Sequence, residues 1–262
     1  MKHQLALITG ASSGLGKSLA IQLAKKNISL ILSARNHSQL SQLANDLSSY
    51  VDITCICCDL AKDRKELIEE IETKSPDLII NNAGFGLYGE ALDHSMQDQM
   101  DMVKVNMEAV VEITLKAAKT LKKKKKKGTI LNVSSLAGSF LFPYFSLYSS
   151  TKSFVTHFSR SLDAECKKEG VRILVSCPGR IDTSFSLKAS KGTYTQKSKT
   201  LMSKEFAVQR ILSQIEKQKG IDVFDFRYKL TQLLSPLIPQ KIQLHIVKKV
   251  MKNLLKPPRS NG

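Results

Sequence analysis

The feature that most constrains the fold is the stretch at residues 5–16, LALITGASSGLG. Its four consecutive apolar residues, 5–8, predict a strand buried on both faces, as in a parallel sheet. Gly10, Gly14 and Gly16 follow with a G-x-x-x-G-x-G spacing. Glycine lets backbone turn tightly or approach a ligand, and the amides of a helix N-terminus attract phosphate. The stretch predicts a dinucleotide-binding turn; taken alone, it also fits a plain strand–turn–helix joint.

Strand and helix patterns then alternate up to Pro178 at the rhythm of successive βαβ units. This rhythm predicts an α/β fold, a single doubly wound Rossmann-type domain with a parallel sheet and helices on both faces. The predicted strands are residues 5–8, 29–33, 52–58, 78–80, 129–133 and 172–176, and the predicted helices are 17–26, 38–50, 64–73, 96–121 and 147–168.

The rhythm breaks after Pro178. Residues 180–203 are rich in Ser, Thr and Lys and predict a loop, and 205–217 predict a helix. Because ligands bind outside the carboxyl ends of such strands, we expect this segment to act as a lid, with a plain connection as the alternative. We therefore expect one domain over 1–262, with a core at 4–185, a substrate loop or lid at 186–220 and a basic amphipathic tail at 221–262.

The tail contains a predicted basic amphipathic helix at residues 240–256. Such a helix fits an anionic membrane surface, closure of the substrate cleft, or a partner subunit. Its lysines are Lys248, Lys249, Lys252 and Lys256, and the apolar residues assigned to one stripe are Ile242, Ile246, Val247, Val250, Met251 and Leu254.

Charge is distributed unevenly along the chain. The net charge is +17, and residues 1–120 hold 12 Lys/Arg against 15 Asp/Glu, which leaves +20 for the remainder. The six lysines at 122–127 predict a solvated surface loop, with a polyanion docking site as the minority interpretation. No apolar run approaches the ~18–20 residues needed to span a bilayer. We expect no cleavable leader, no metal site and five reduced cysteines, which together indicate a cytoplasmic protein.

Tyr148 and Lys152 carry the strongest chemical signal. Four residues apart, they face the same side of a predicted helix. A phenol titrates near pH ~10, and a neighbouring ammonium lowers that pKa towards neutrality. A hydroxyl at the end of the preceding strand, where Ser134 and Ser135 lie, can reach the same point and hydrogen-bond a carbonyl oxygen. Together with the glycine turn, this set indicates redox chemistry on a carbonyl or alcohol.

With these motifs the chain resembles the short-chain dehydrogenase/reductase family over about residues 4–185. The motifs that carry the resemblance are Thr9-Gly10-x-x-x-Gly14-x-Gly16, Asp59-Leu60, Asn81-Asn82-Ala83-Gly84, Asn106, Ser135, Tyr148-x-x-x-Lys152, and Pro178-Gly179 leading to Thr183.

The resemblance implies roles for individual residues. Tyr148 would be the general acid or base, Lys152 would lower its pKa and bind the nicotinamide ribose, and Ser135 would polarise the substrate carbonyl. Asn106 would hold a water that connects Lys152 to solvent. Together with Arg35, the expected cofactor contacts are Gly10, Ser12, Ser13, Gly14, Leu15, Gly16, Asp59, Leu60, Asn82, Ala83, Gly84, Tyr148, Lys152, Pro178, Gly179, Ile181 and Thr183.

Arg35 decides the expected cofactor. An acidic side chain after the second strand would accept from the ribose 2′-hydroxyl of NAD and repel a 2′-phosphate. Ala34 occupies that place, and Arg35 follows as a planar donor suited to phosphate. The sequence therefore predicts NADP(H).

The leading hypothesis is an NADP(H)-dependent oxidoreductase acting on a carbonyl or alcohol. The aromatic loop at 140–145, with Phe85, Leu87 and Tyr88, indicates a hydrophobic substrate. The alternatives are a catalytically idle NADP-binding sensor or scaffold and a membrane-surface-associated protein. The resemblance implies a homodimer or homotetramer paired through helices 96–121 and 147–168. Nucleic acid is not expected as a partner, and a peripheral membrane contact through the tail stays open.

Overall fold

The computed structural model describes residues 3–190, 192, 201–224 and 238–254. Its centre is a parallel sheet of strands β1 (Leu5–Thr9), β2 (Ser29–Ala34), β3 (Ile53–Cys57), β4 (Leu78–Asn81), β5 (Gly128–Val133), β6 (Val171–Cys177) and β7 (Ile221–Val223). The strand order is β3-β2-β1-β4-β5-β6-β7. The order reverses between β1 and β4, and ligands of such sheets bind outside the carboxyl ends of the strands at that crevice.

Helices cover both faces of the sheet. In the described part of the chain they are α1 (Gly14–Ala24), α2 (His37–Leu47), α3 (Lys65–Lys74), α4 (Met96–Val103), α5 (Ala109–Lys123), α6 (Ser146–Cys166), α7 (Phe185–Ala189), α8 (Lys204–Glu216) and α9 (Gln240–Leu254). The predicted Rossmann-type class is confirmed.

The core has two layers because successive strand residues point to opposite faces. Ala6 and Ile8 pack with α1, α2 and α8, whereas Leu7 between them packs with α3 and α5. Both layers are closed to solvent, which explains why the first strand is an unbroken apolar run.

A buried amide pair links the two central strands. Asn81 and Asn132 lie opposite each other in the β4–β5 register. Asn81 Nδ2 donates to Asn132 Oδ1 at 2.8 Å, and Asn132 Nδ2 donates to Ser159 Oγ of α6 at 2.9 Å. A slip of one residue would break both bonds and turn the amides to the other face, so the pair favours this register.

The single helix predicted at 96–121 is wrong in one respect. It is divided into α4 and α5 by a π-helical turn at Lys104–Glu108 that contains Asn106. Both side-chain polar atoms of Asn106 bond the backbone of Phe85, at 3.1 Å to its amide and 2.9 Å to its carbonyl. These contacts with a loop distant in sequence hold the asparagine against the cleft, which helical periodicity does not reveal.

Two further predictions need correction. The three-residue strand β7 extends the sheet beside β6 inside the segment assigned to the tail. The segment 180–203 is not entirely a loop, because it contains α7 and a bridge between Ile181 and Met202. Residues 191, 193–200, 225–237 and 255–262 of the predicted lid and tail lie outside the described residues.

The lysine run at 122–127 packs against the end of α3. Lys124 Nζ donates to the carbonyls of Glu72 and Thr73 at 3.0 and 2.9 Å, and Lys126 Nζ to that of Ser75 at 3.2 Å. Cations at the C-terminus of a helix complement its dipole and its free carbonyls. These contacts give two of the six lysines a structural role, more specific than the solvated loop predicted.

Candidate active site

The glycine turn lies against the β4 loop at the carboxyl edge of the sheet. Gly10 and Gly14 have positive φ angles of 66° and 54°. A Cβ on Gly10 would lie 2.9 Å from Ala83 Cα, and one on Gly16 would lie 2.6 Å from Asn82 Nδ2. The backbone of β1, the start of α1 and the β4 loop therefore approach each other as only glycine allows.

Thr9 and Asn82 join the two loops by hydrogen bonds. Thr9 Oγ1 accepts from the amides of Asn82 and Ala83, each at 3.0 Å, and Asn82 Nδ2 donates to the Thr9 carbonyl at 3.0 Å. Asn82 thus supports the turn. Thr9 was not among the predicted site residues, yet its hydroxyl joins the glycine turn to the loop after β4.

The start of α1 fits a pyrophosphate. Its N-cap, Ser13, makes no side-chain cap hydrogen bond, and its first turn carries no acidic residue. By contrast, α2 and α8 are capped by the side chains of Asn36 and Ser203. Amides at an uncapped helix N-terminus are donors for an anion, so the turn of Ser12, Ser13 and Leu15 fits the phosphates of a dinucleotide.

Arg35 and Asp59 follow the ends of β2 and β3, at the carboxyl edge of the sheet. Arg35 is exposed and directly follows the buried Ala34. Asp59 Oδ1 accepts from the amide of Ala61 at 3.0 Å, which orders the loop that includes Leu60. An exposed guanidinium at this edge, with no acidic side chain at the end of β2, suits a ribose 2′-phosphate.

The segment after β6 closes the other side of the crevice. The carbonyl of Pro178 accepts from the amide of Leu136 at 2.9 Å, which ties it to the loop after β5. A Cβ on Gly14 would lie 3.6 Å from Thr183 Cγ2, so Thr183 reaches the glycine turn. Gly179 and Ile181 lie between these two contacts in sequence.

Tyr148 and Lys152 lie on α6 and are 7% and 4% exposed. Lys152 Nζ donates to the carbonyl of Val133 at 3.0 Å and lies 5.8 Å from the centre of the Tyr148 ring. A Cβ on Gly84 would lie 3.2 Å from Lys152 Nζ and 3.0 Å from Asn106 Oδ1. The structure therefore brings Lys152 and Asn106 together at Gly84, and Lys152 lies beside the Tyr148 ring.

Ser135, rather than Ser134, faces the phenol. The Ser135 side chain lies close enough to the Tyr148 phenol to favour its ionised form, and its Oγ accepts from the amide of Ala137 at 3.1 Å. Ser134 is buried, and its Oγ donates to the carbonyl of Lys152 at 2.7 Å and lies 2.8 Å from Thr156 Oγ1. Ser134 thus anchors the Lys152 segment of α6 to the end of β5, whereas the Ser135 side chain lies near the Tyr148 phenol.

Burial controls the protonation of the pair. It raises the pKa of the Tyr148 phenol well above its usual value, an effect that the Ser135 hydrogen bond opposes. Burial also lowers the pKa of the Lys152 ammonium to about 8. The expectation that Lys152 depresses the Tyr148 pKa is not met in this arrangement, because the ammonium donates to Val133 and burial has the larger effect.

Aromatic side chains surround the Tyr148 phenol. The Tyr148 ring stacks on Phe145 with centroids 4.2 Å apart, and Phe145 stacks on Tyr88 at 4.0 Å. Phe185 of α7 lies 5.5 Å from Tyr148. The predicted aromatic loop therefore contacts Tyr148. The contact of Phe185 with Tyr148 was not predicted, because the sequence after Pro178 showed no helix pattern there.

The aromatic cluster defined by Tyr88, Phe145, Tyr148 and Phe185 is covered by α9. Met251 is 3% exposed within this cluster, and Val247 packs against it. Of the three predicted placements for the tail helix, the described residues match closure of the cleft. The prediction that the apolar residues of this helix form a single stripe is wrong. Val247 and Met251 face the protein, whereas Ile242, Ile246 and Val250 are 51%, 53% and 51% exposed.

In the part of the chain that the structure describes, no cluster of three or more His, Cys, Asp or Glu side chains could hold a metal ion. Over the same residues, no helix combines the length and the apolar character needed to cross a bilayer.

A glycine turn at the switch point of a parallel sheet, with a Ser–Tyr–Lys set beside it, defines a Rossmann-type oxidoreductase that uses a nicotinamide dinucleotide. The family profile described as short chain dehydrogenase matches residues 4–193. The chain belongs to this family, whose members act on alcohols and carbonyls.

Relatives and solved structures agree with this assignment. An NADP-dependent 3-hydroxy acid dehydrogenase of Schizosaccharomyces pombe is 35% identical over 189 residues, 69% of this chain and 73% of that protein. Sulfoacetaldehyde reductase 2 of Chromohalobacter salexigens is 31% identical over 193 residues, 72% of this chain and 77% of that protein. A short-chain dehydrogenase from Sphingobium yanoikuyae, solved in complex with NADPH, shares the fold with a TM-score of 0.77 at 22% identity, covering 99% of this chain and 97% of that chain.

Proposed function

We propose that this protein is an NADP(H)-dependent oxidoreductase that interconverts a hydrophobic carbonyl compound and its alcohol. The observation that carries the proposal is the meeting of Ser135, Tyr148 and Lys152 beside the glycine turn. The Ser135 side chain lies close enough to the phenol to lower its pKa, and Tyr148 and Lys152 of α6 are both buried. The alternative of an idle sensor predicts a defect in this set, and each member is in place.

Tyr148 acts as the acid in reduction and as the base in oxidation. Its raised pKa keeps the phenol protonated at neutral pH, so a proton is present for the carbonyl oxygen, although the same rise makes the phenol a weaker acid. The hydroxyl of Ser135 donates a hydrogen bond to the same oxygen and orients it. Lys152 and Asn106 lie behind the phenol and provide a polar route for the proton to be replaced.

The cofactor proposed is NADP(H), which when bound supplies or accepts the hydride of the reaction. The turn of Gly10, Gly14 and Gly16 would hold the pyrophosphate, and Arg35 would pair with the 2′-phosphate. Asp59, Leu60, Asn82, Ala83 and Gly84 would border the adenosine half, and Lys152, Pro178, Gly179, Ile181 and Thr183 the nicotinamide half. The first named relative is itself described as NADP-dependent, which supports this choice.

The aromatic cluster supports a hydrophobic substrate. Tyr88, Phe145 and Phe185 pack around the phenol, and Val247 and Met251 of α9 close the same space. A small anionic substrate is the second candidate, because the two named relatives take their names from a 3-hydroxy acid and from sulfoacetaldehyde.

A turnover screen separates the two candidates. We would follow NADPH absorbance with aliphatic, acyl and aromatic ketones and, in parallel, with small aldehydes that carry a carboxylate or sulfonate. The proposal predicts kcat/KM values that rise with apolar size. A preference for the small anions would transfer the substrate assignment to the second candidate, and steady absorbance with every compound would favour the idle sensor.

The proposal extends to assembly and location. The exposed Phe154 of α6 lies with Val103, Met107 and Val111 along one shallow depression of the surface. This face supports a homodimer or homotetramer paired through α4, α5 and α6. We place the enzyme in the cytoplasm, with a peripheral membrane contact through the basic helix α9.

A further inference from the structure

The helix α9 has two apolar lines, and the protein body covers one of them. Val247 and Met251 lie on the inner line and pack on the aromatic cluster. Ile242, Ile246 and Val250 follow each other at intervals of four, so they form a second line along the helix, and each is about half exposed. An exposed line of large aliphatic side chains marks a contact surface.

Three elements that contribute to the aromatic cluster also carry exposed apolar side chains. Met100 of α4, Leu141 before α6 and Leu187 of α7 are 43%, 45% and 50% exposed. Each segment also sends a residue into or against the aromatic cluster, namely Met102, Phe142 and Phe185. The elements that enclose the active site therefore share an apolar outer rim with α9.

Charge on α9 selects the partner. The helix sequence QKIQLHIVKKVMKNL contains no acidic residue, and Lys241, Lys248 and Lys249 are exposed. Lys249 lies next to the line of Ile242, Ile246 and Val250 on the helix surface. Apolar residues flanked by lysines bind at the boundary between acyl chains and anionic headgroups. A second copy of the chain would bring these lysines together, which like-charge repulsion opposes.

We propose that the outer line of α9 and the rim of the cleft dock on an anionic lipid bilayer. In this arrangement α9 separates the catalytic aromatic cluster on its inner side from the bilayer on its outer side. This deepens the membrane contact proposed above. Docking itself does not depend on the proposed function. One consequence does rest on it, namely that the active site takes its hydrophobic substrate from the lipid phase.

The test is binding of the full-length protein to vesicles. Co-sedimentation with phosphatidylcholine vesicles is compared with that for mixed phosphatidylcholine–phosphatidylglycerol vesicles, at low salt and at about 0.5 M salt. We expect binding to the mixed vesicles alone, weakened by salt. Ile246→Glu should reduce the partition coefficient about tenfold or more. Lys248→Gln with Lys249→Gln should reduce it less and flatten the salt dependence.

Phe206→Glu is the matched control, because Phe206 is 47% exposed on α8, which packs on α1 and contributes no residue to the aromatic cluster. It should bind vesicles as the unchanged protein does. Equal binding by Ile246→Glu, or binding that is indifferent to anionic lipid, would overturn the proposal. The proposal would also be overturned if the unchanged protein bound no vesicles but self-associated, and Ile246→Glu abolished that self-association. The occupant of the outer line would then be a second copy of the chain. NADPH turnover without vesicles tests the proposed function separately.

Discussion

The rings of Phe145 and Tyr148 stack face to face, with centroids 4.2 Å apart and an angle of 24° between their planes. Phe145 is in turn stacked on Tyr88, so the catalytic phenol is held by a column of rings. The column exists because Gly86 leaves room for it. A Cβ at Gly86 would lie 2.7 Å from Phe145 Cε2 and 3.1 Å from Tyr148 Cδ2.

Gly86→Ala should therefore displace the phenol without disturbing the cofactor turn. We expect kcat to fall on the order of 10–100-fold, because small misplacements of a catalytic group have large kinetic effects. The affinity for NADPH, measured by fluorescence titration, should change little. Gly220→Ala is the control, since its Cβ would meet neighbours at 3.7 Å and beyond. Unchanged kcat in Gly86→Ala would show that the column does not position Tyr148.

The buried Lys152 should lower the free energy of unfolding at neutral pH. Its pKa is lowered by burial to about 8, from 10.5. Between these values the unfolded chain holds a proton that the native protein lacks, so this group's contribution to stability rises with pH across that window. At neutral pH its burial costs about 3 kcal/mol.

Lys152→Met should abolish turnover and raise the free energy of unfolding at pH 7 by up to about 3 kcal/mol, less the lost bond to Val133. Urea titrations at pH 7 and about pH 10 measure this. The difference between the two proteins should shrink at the higher pH. A difference that stays constant with pH would mean that folding does not lower the pKa of Lys152.

Arg35 should set the cofactor preference. Arg35→Asp introduces a carboxylate that repels the 2′-phosphate and accepts from a 2′-hydroxyl. We expect KM for NADPH to rise at least about tenfold and KM for NADH to fall. A charge-assisted hydrogen bond to phosphate contributes about 1.5–3 kcal/mol, which corresponds to a change in affinity of roughly tenfold or more. Lys25→Asp, at the far end of α1, is the charge-matched control. An unchanged preference in Arg35→Asp would refute the assignment.

Phe154 should hold the subunit interface. It is 38% exposed on α6 and stacks on Phe158 with centroids 5.9 Å apart. Phe154→Asp should convert the proposed dimer or tetramer to smaller species, because a carboxylate would be buried without a partner. Sedimentation velocity measures this, with Phe206→Asp for comparison. A monomeric unchanged protein would refute the interface.

The sequence predicted the sheet well because its strands are buried on both faces and read as short apolar runs. Leu7 and Ile8 need no tertiary information to be recognised as strand residues. The π-helical turn around Asn106 could not be predicted, since its bonds go to Phe85, and β7 is too short to show a pattern. The catalytic set followed from motif spacing, whereas the contacts of Gly86, Phe145 and Met251 depend on which loops meet in space.

The most direct test of the central claim compares NADPH oxidation by the unchanged protein and by Tyr148→Phe, using the best apolar ketone of the screen. The substitution removes the phenolic proton and leaves the aromatic ring in the column. The account predicts a fall in kcat of about 10²–10⁴-fold with NADPH affinity retained, as for loss of a general acid. Turnover by Tyr148→Phe within a factor of about two of the unchanged protein would contradict it.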